Sequence, residues 1–247
     1  LYVKNDINRA KFHAVLFLIM ETGLLGVFAS RDLLLFYLFF EIAIVPMYFI
    51  IGIWGGENRR YAAMKMFLYT RLGSLLMLIG FLWLYLSMPI PTFSIDAIAA
   101  ANPMGAFGVG GVLAALSLLI GFGIKLPFVP FHNWLPDAHV EAPTEGSVLL
   151  AGILLKLGGY GMISILLPLL PTATRELGWL LLIVAVISLF YGLFAALAQK
   201  DLKRLVAYTS VSHMGFVMLG LAVWALATDP GVKQLALNGA VIQMISH

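Results

Sequence analysis

Long apolar runs recur along this chain, and they constrain its fold more than any other feature. Each run is close to the 20 residues that a helix needs to cross a bilayer. Seven complete runs lie at about residues 12–30, 33–54, 61–87, 107–126, 146–170, 177–198 and 204–227, and an eighth begins near 233. Hydrophobic residues make up 62% of the chain and charged residues 11%, whereas a soluble domain carries about 25% charged residues. The sequence therefore predicts an all-α membrane protein, a polytopic helix bundle.

Several other classes of protein are excluded by the composition. The chain has no cysteine, so it forms no disulfide, cysteine zinc site or iron–sulfur ligation of its own. Its net charge is +3 with no basic block, which gives no support for nucleic-acid binding. Because the chain starts at Leu1 and ends at His247 within an apolar run, we expect residues 1–247 to be a fragment that forms a single transmembrane domain.

Positive charge between the runs predicts the orientation in the membrane. We call the side on which the first run begins side A. Eight lysines and arginines fall on side A and three on the other side, if the segment near 107–140 crosses once. Since cytoplasmic loops carry an excess of these residues, side A is predicted to face the cytoplasm or the mitochondrial matrix. We expect the membrane to be the bacterial inner membrane, or the mitochondrial inner membrane for an organelle-encoded chain.

Three prolines, at positions 127, 130 and 136, interrupt the helical pattern after the fourth run. Each proline removes a backbone donor and clashes with the preceding helical turn. The sequence therefore predicts a discontinuous helix near residues 120–137. From the prolines alone, two interpretations stay open. The break lies at membrane depth, as at ion sites of many transporters, or an ordinary helix end leads into a surface loop.

Ionisable side chains inside the apolar runs are the strongest functional signal. An ionised side chain at the centre of a membrane helix costs about 2.5–3.5 kcal/mol on insertion scales, so these groups predict a polar interior. A lysine beside a carboxylate that can approach or retreat can bind and release a proton, which is the chemistry of a proton relay. The alternative is a static buried ion pair that only fixes helix packing. The groups concerned are Glu21, Glu41, Arg71, Lys125, Lys156 and His213, with Lys65 about one turn from side A.

The partners of these groups are left partly open by the sequence. Glu41 needs a partner from another helix, for which Lys125 and Lys156 are candidates, and Arg71 is a candidate counter-charge for Glu21 or Glu41. Lys65 is expected to extend towards side A. A metal site formed by His132, Asp137, His139 and Glu141 is a weak alternative, because no metalloprotease spacing occurs. Glu21, Lys65, Arg71, His132 and His139 are candidate accessory residues, the two histidines as polar lining of the broken helix.

Four sequence stretches carry a resemblance to a known family. The first is 32–41, which is followed by Pro46 and by Gly52-Ile53-Trp54-Gly55-Gly56. The second is Lys125-Leu126-Pro127 and the third is 132–139. The fourth, 140–158, is the longest and the most specific. Together they resemble the antiporter-like membrane subunits of respiratory complex I, the NADH–quinone oxidoreductase, and most of all the branch called chain M or subunit 4. The resemblance covers nearly the whole chain.

The resemblance implies a fold and a function. It implies an antiporter-like fold with inverted five-helix repeats, the first at about 12–170 and an incomplete second at about 177–247. It implies that the broken helix carries Lys125. It further implies a proton-translocating membrane-arm subunit whose partners are other complex I subunits, lipid, protons and internal water. NADH, FMN, iron–sulfur clusters and quinone are expected in the partner subunits, with no cofactor in this chain. The implied proton relay comprises Glu41, Lys125, Lys156, His213 and His247.

Two rival functions remain at this point. The first is a subunit of a multi-subunit cation/proton antiporter or of a membrane-bound hydrogenase, which are close relatives of the same family. The second is a membrane scaffold that moves no ion, which predicts that Glu41→Gln and Lys156→Ala retain transport. An enzyme with its own active site is the weakest alternative, because no catalytic motif is visible.

Overall fold

A computed structural model describes residues 7–101 and 108–247, with side chains from residue 9 onward. All of the regular elements in these ranges are helices, apart from one isolated bridge between Asp32 and Ser94. The helices are α1 (Ile7–Ala29), α2 (Leu33–Trp54), α3 (Arg59–Ser87), α4 (Ile95–Ala101), α5 (Gly108–Lys125), α6 (Trp134–Glu141), α7 (Thr144–Leu169), α8 (Pro171–Glu176), α9 (Gly178–Leu197), α10 (Leu202–Leu226) and α11 (Pro230–Ser246).

Seven of the described helices are long and apolar enough to cross a membrane: α1, α2, α3, α5, α7, α9 and α10. Their bounds lie close to the seven predicted runs, and α11 corresponds to the predicted eighth. The all-α membrane fold is thus confirmed. Large apolar side chains such as Leu86 and Leu197 face outward on these helices, as expected of surfaces in contact with lipid.

Aspartates in the short connections begin three of the helices. Asp32 accepts hydrogen bonds from the backbone of Leu34 and Leu35 at the start of α2. Asp201 caps α10 through the backbone NH of Arg204, and Asp229 caps α11 in the same way. Such a cap satisfies a backbone donor that the first helical turn leaves unpaired. These three helices begin within three residues of the starts of the predicted apolar runs.

The core is centred where α2, α3 and α5 meet. Phe36 packs against the rings of Phe40, Phe81 and Phe122, with ring centroids 5.9–6.2 Å apart. All four side chains are at most 1% exposed. This aromatic cluster holds the three helices together beside the end of α5, which is where the helix breaks.

The predicted discontinuous helix is confirmed, and its break is partly buried, with 126–128 and His132 buried and Pro130 and Asn133 exposed. α5 ends at Lys125 and α6 begins at Trp134. The Trp134 indole NH donates to the carbonyl of Ile124 at 2.9 Å, and the backbone NH of Val129 donates to the Ser188 hydroxyl at 3.0 Å. Side chains thereby satisfy backbone groups that the break exposes. Of the two interpretations open from the sequence, the structure has the break inside the protein.

Candidate functional site

Glu41 lies on α2 and is 8% exposed. The guanidinium of Arg71, on the neighbouring α3, contacts one of its carboxylate oxygens as an ion pair. Neither oxygen accepts a further hydrogen bond from the described residues. Since a buried carboxylate is stable as an anion only when it is paired, Arg71 is the group that compensates Glu41 in this conformation.

Of the candidate partners that the sequence left open for Glu41, the structure has Arg71 and neither Lys125 nor Lys156. It also settles the role of Arg71, whose candidate counter-charges were Glu21 and Glu41. The Arg71 side chain is long enough to reach the Glu41 carboxylate, because α3 packs directly on α2. On its way it lies across the ring of Phe67.

Lys125 is the last residue of α5 and is 4% exposed. Its Nζ lies 5.4 Å from the ring centroid of Phe40, the residue before Glu41. Within residues 9–101 and 108–247, no carboxylate lies within ion-pair distance of this amine. Two weaker effects favour the ammonium here: the face of an aromatic ring and the negative end of a helix dipole. Lys125 is thus a buried amine without an ionic partner among the described residues, packed against the residue that precedes Glu41.

Lys156 lies in α7 between two π-helical turns, Leu150–Leu154 and Met162–Leu166. Because the backbone NH of Leu155 bonds the carbonyl of Leu150, five residues back, the local register differs from that of an α-helix. The Lys156 ammonium donates to the carbonyl of Ala151 inside this turn. Sequence reasoning missed the π turns, which often mark functional positions in helices.

A hydrogen-bonded chain extends from Lys156 to α10. The Nζ of Lys156 lies 2.8 Å from Nδ1 of His247, and Nε2 of His247 lies 3.0 Å from the hydroxyl of Ser210. The Ser210 hydroxyl in turn donates to the carbonyl of Val206 at 3.2 Å. A neutral His247 with its proton on Nε2 satisfies every link, since it accepts at one nitrogen and donates at the other. Lys156 and His247 can exchange a proton along this line, whereas the Val206 carbonyl at its end only accepts a hydrogen bond.

His213 stands beside this chain but outside its hydrogen bonds. Its ring centroid lies 5.4 Å from that of His247, and the side chain is exposed in this structure. The hydroxyl residues just before His213 in the sequence could have indicated this hydrogen-bonded line, because Ser210 is one of them.

The two lysines lie on helices whose backbones touch. A Cβ atom added at Gly158 of α7 would lie 2.4 Å from the carbonyl oxygen of Phe122 and 2.8 Å from the backbone nitrogen of Leu126. These two residues flank the last turn of α5, so glycine is required for the close approach. No hydrogen bond between described residues joins Lys125 to Lys156, and the two groups form separate clusters.

The remaining candidate residues have varied surroundings. Lys65 donates to Asp137 at 2.6 Å, and Arg204 lies 3.6 Å from the same carboxylate. His132 and His139 are buried beside the break, and three of their four ring nitrogens have no hydrogen-bond partner among the described residues. Glu21 lies on an exposed face of α1. In the described parts of the chain, no cluster of three or more His, Asp or Glu could hold a metal.

Comparisons with known proteins agree on one family. The family described as NADH:quinone oxidoreductase/Mrp antiporter, transmembrane, matches residues 30–247. NADH-quinone oxidoreductase subunit M of Rickettsia bellii is 49% identical over 237 residues, which are 96% of this chain and 46% of that protein. The chain spans less than half the length of the curated relatives it matches.

Two solved structures share the fold. A chain of respiratory complex I from Thermus thermophilus with bound NADH has a TM-score of 0.78 and 34% identity, over 93% of this chain and 51% of that one. A chain of the Mrp complex from Dietzia sp. has a TM-score of 0.76 and 21% identity, over 93% of this chain and 42% of that one. The second likeness concerns the fold alone.

Proposed function

This chain belongs to the NADH:quinone oxidoreductase/Mrp antiporter transmembrane family, and from that premise we propose that it is a proton-translocating membrane subunit of an NADH–quinone oxidoreductase. One observation carries the proposal. Lys125 is a buried amine at the break of a helix, packed against the ring of the residue before Glu41, whose carboxylate Arg71 holds. A lysine in such a place can exchange a proton when its anionic neighbour moves.

The first step of the mechanism is an exchange of partners by Glu41. While Arg71 holds the carboxylate, Lys125 has no counter-ion, and the neutral amine is favoured because an unpaired buried charge is costly. When Glu41 turns towards Lys125, the ammonium is stabilised and a proton is retained. Arg71 is always charged, so it acts as the fixed competitor for the carboxylate and carries no proton itself.

The second step passes the proton from Lys125 towards Lys156 through water, because the two groups are not in contact. From Lys156 the proton passes to His247, which the Ser210 hydroxyl orients, and water carries it on to His213, whose ring centroid lies 5.4 Å from that of His247. His132 and His139, with their unpartnered ring nitrogens, offer sites for bound water near the break. The driving force is a change in a neighbouring subunit that shifts the Glu41 equilibrium.

The wider assignments form part of the same proposal. Residues 12–170 form the first five-helix repeat and 177–247 part of the second, with side A facing the cytoplasm or matrix. The chain acts in a bacterial or mitochondrial inner membrane with other membrane-arm subunits. NADH oxidation and quinone reduction, with FMN and iron–sulfur clusters, take place in partner subunits, and this chain binds no redox cofactor.

Replacing Lys125 by alanine in the full-length protein and its complex tests the proposal. Loss of a positioned proton donor typically slows a proton-transfer step by about 10²–10⁴-fold, so proton pumping into membrane vesicles should fall to background while the complex still assembles. Lys200→Ala, at an exposed position, is the control and should pump normally. Full pumping by the Lys125 variant would remove this residue from the relay.

The choice of ion needs a separate measurement, because the family description includes Mrp antiporters. We propose that the proton is the transported ion. Vesicles containing the complex should acidify at the same rate with sodium or with potassium as the only metal cation. Transport that requires sodium and persists without quinone reduction would favour the antiporter function instead.

A further inference from the structure

A cluster of charged side chains near the side A ends of α3 and α10 lies outside the proton pathway described above. Asp137, on the short helix α6, accepts a hydrogen bond from the ammonium of Lys65 on α3, with 2.6 Å between Oδ2 and Nζ. Its other oxygen, Oδ1, lies 3.6 Å from the guanidinium of Arg204 on α10. The Asp137 and Lys65 side chains are each 21% exposed, so salt and water screen this ion pair less than an exposed one. One carboxylate therefore contacts cations of two helices.

Further contacts fix α6 between the same two helices. On the α10 side, the Lys203 ammonium donates to the carbonyl groups of Val140 and Ala142 at 3.2 Å each. On the α3 side, the backbone NH of Asn58, just before α3, donates to the Glu141 carboxylate at 2.9 Å. The short helix α6 also packs directly against α3 and α10. A movement of either long helix is therefore transmitted to α6.

The helices that α6 joins carry members of the two lysine clusters. On α3, Arg71 lies six residues after Lys65, and on α10, Ser210 lies six residues after Arg204. At about 1.5 Å per residue, each cluster member is about 9 Å along its own helix from the charged group on side A. α6 also follows the break that begins after Lys125. Because packed helices and ion pairs carry coupling between sites, this arrangement connects the two clusters through α6.

We propose that Asp137 is a positioning residue that couples the two lysine clusters, because it holds α3 and α10 to α6. This inference rests on the proposed proton pathway, and it adds the route by which a change at the Glu41–Arg71 pair reaches the hydrogen bond between His247 and Ser210. The group on side A has two cations and one carboxylate. A role in charge balance can therefore be separated from a role in holding the helices, since removal of one cation balances the charge but releases a helix.

Asp137→Asn in the full-length protein and its complex tests this coupling. The variant should lower the proton-pumping rate about two- to thirtyfold, the range for substitutions along a coupling route, while the complex still assembles. Asp137→Glu keeps the charge and should retain most of the rate. Asp96→Asn is the matched control, because Asp96 also pairs with an arginine, Arg31, but lies on α4. This control should pump normally.

A double variant separates the helix contact from the charge. Asp137→Asn leaves two cations together without their carboxylate. Adding Lys65→Met restores the net charge of the native group but not the ion pair between α3 and α6. The unfolding free energy should therefore recover in the double variant, whereas the pumping rate should stay low. Recovery of pumping together with stability would overturn the inference, because Asp137 would then act through charge balance alone.

Spin labels measure the spacing of α3 and α10 independently of pumping. Residues 1–247 contain no cysteine, so Leu68→Cys and Leu202→Cys, at positions 59% and 74% exposed, carry the labels once accessible cysteines elsewhere in the complex are replaced. The distance distribution between the labels should broaden with Asp137→Asn and stay narrow with Asp96→Asn. An unchanged distribution would overturn the inference, as would normal pumping with a broadened one. Lys125→Ala tests the proton pathway itself, so failure of either proposal leaves the other distinguishable.

Discussion

The two buried lysines lie in opposite electrostatic settings. Lys125 packs on the ring of Phe40, and the next residue, Glu41, forms a fully charged ion pair with Arg71. Around Lys156 the partners are a backbone carbonyl and a histidine nitrogen, and the chain continues to a serine hydroxyl. The first setting can be switched by moving one charge, whereas the second can conduct a proton with little movement. Under the proposed function, the Lys125 surroundings would therefore act as a gate, and the Lys156 surroundings as a relay.

Both lysines nevertheless share one structural device. Each lies where a membrane helix departs from regular α geometry: Lys125 at the end of α5, and Lys156 between two π turns of α7. In a regular helix the carbonyl groups already accept hydrogen bonds from the backbone NH groups of the same helix, so a buried lysine there has few backbone acceptors. An irregularity supplies acceptors or a dipole end, which makes a buried amine tolerable without a permanent carboxylate partner.

The largest expected effect comes from removing the fixed charge of the first cluster. Arg71→Met leaves Glu41 buried with no cation in contact, and breaking a buried pair from one side costs about 3–5 kcal/mol. We expect about 3 kcal/mol, the lower end, because the Arg71 side chain is 33% exposed. The measurement is the unfolding free energy of the purified protein in detergent.

A matched arginine separates this effect from a general loss of charge. Arg31 pairs with Asp96, but the two side chains are 74% and 61% exposed, so Arg31→Met should cost at most about 1 kcal/mol. Adding Glu41→Gln to the Arg71 variant should recover most of the lost stability. Equal losses for the two arginine variants would contradict a buried gate held by an ion pair.

A middle-sized effect is expected where the two clusters approach each other. Gly158→Ala places a Cβ atom 2.4 Å from the Phe122 carbonyl oxygen, so α5 and α7 must separate. Overpacking of this kind costs about 1–3 kcal/mol, and proton pumping should fall because the gap between the lysines widens. The checks are the unfolding free energy and the initial pumping rate in vesicles.

Gly239 provides the control for that substitution. It lies on α11, and a Cβ atom there meets no other atom within 4 Å, so Gly239→Ala should be neutral or slightly stabilising, since alanine favours a helix over glycine. If Gly158→Ala pumped at the wild-type rate, close approach of the two helices would be irrelevant to proton transfer between the clusters.

Sequence reasoning predicted the helices and the break well because those signals are local. An apolar run, a capping aspartate such as Asp32 and the prolines at 127 and 130 act on their own stretch of chain. The partner of Glu41 was left open among Lys125, Lys156 and Arg71, because it depends on how α2 and α3 rotate against each other, which hydropathy does not specify. The π turns around Lys156 were missed for a similar reason, since they depend on tertiary packing, and a glycine such as Gly152 in the first of them does not distinguish a π turn from an α turn.

Predicting the site was possible in part. The resemblance pointed to Lys156 and His247, and the structure joins these two by a hydrogen bond. It also pointed to Glu41 and Lys125, which lie in one cluster without a direct bond. The functional roles of all five relay residues remain predictions. Ser210, which links His247 to α10, was visible only as one of several hydroxyls near His213, and nothing in the sequence distinguished it from Thr209.

That pair of hydroxyls gives the smallest and most specific prediction, because it tests the relay without disturbing the gate. Ser210→Ala removes the group that Nε2 of His247 reaches at 3.0 Å, and a hydrogen bond is worth about 1 kcal/mol, so the pumping rate should fall about fivefold. Ser210→Thr keeps a hydroxyl and should restore most of the rate.

Thr209 also donates to the Val206 carbonyl but makes no hydrogen bond with His247, so Thr209→Ala should pump normally. Equal slowing by both alanine variants would mean that the hydroxyls act on the helix backbone, and the relay would then have to leave His247 by another route.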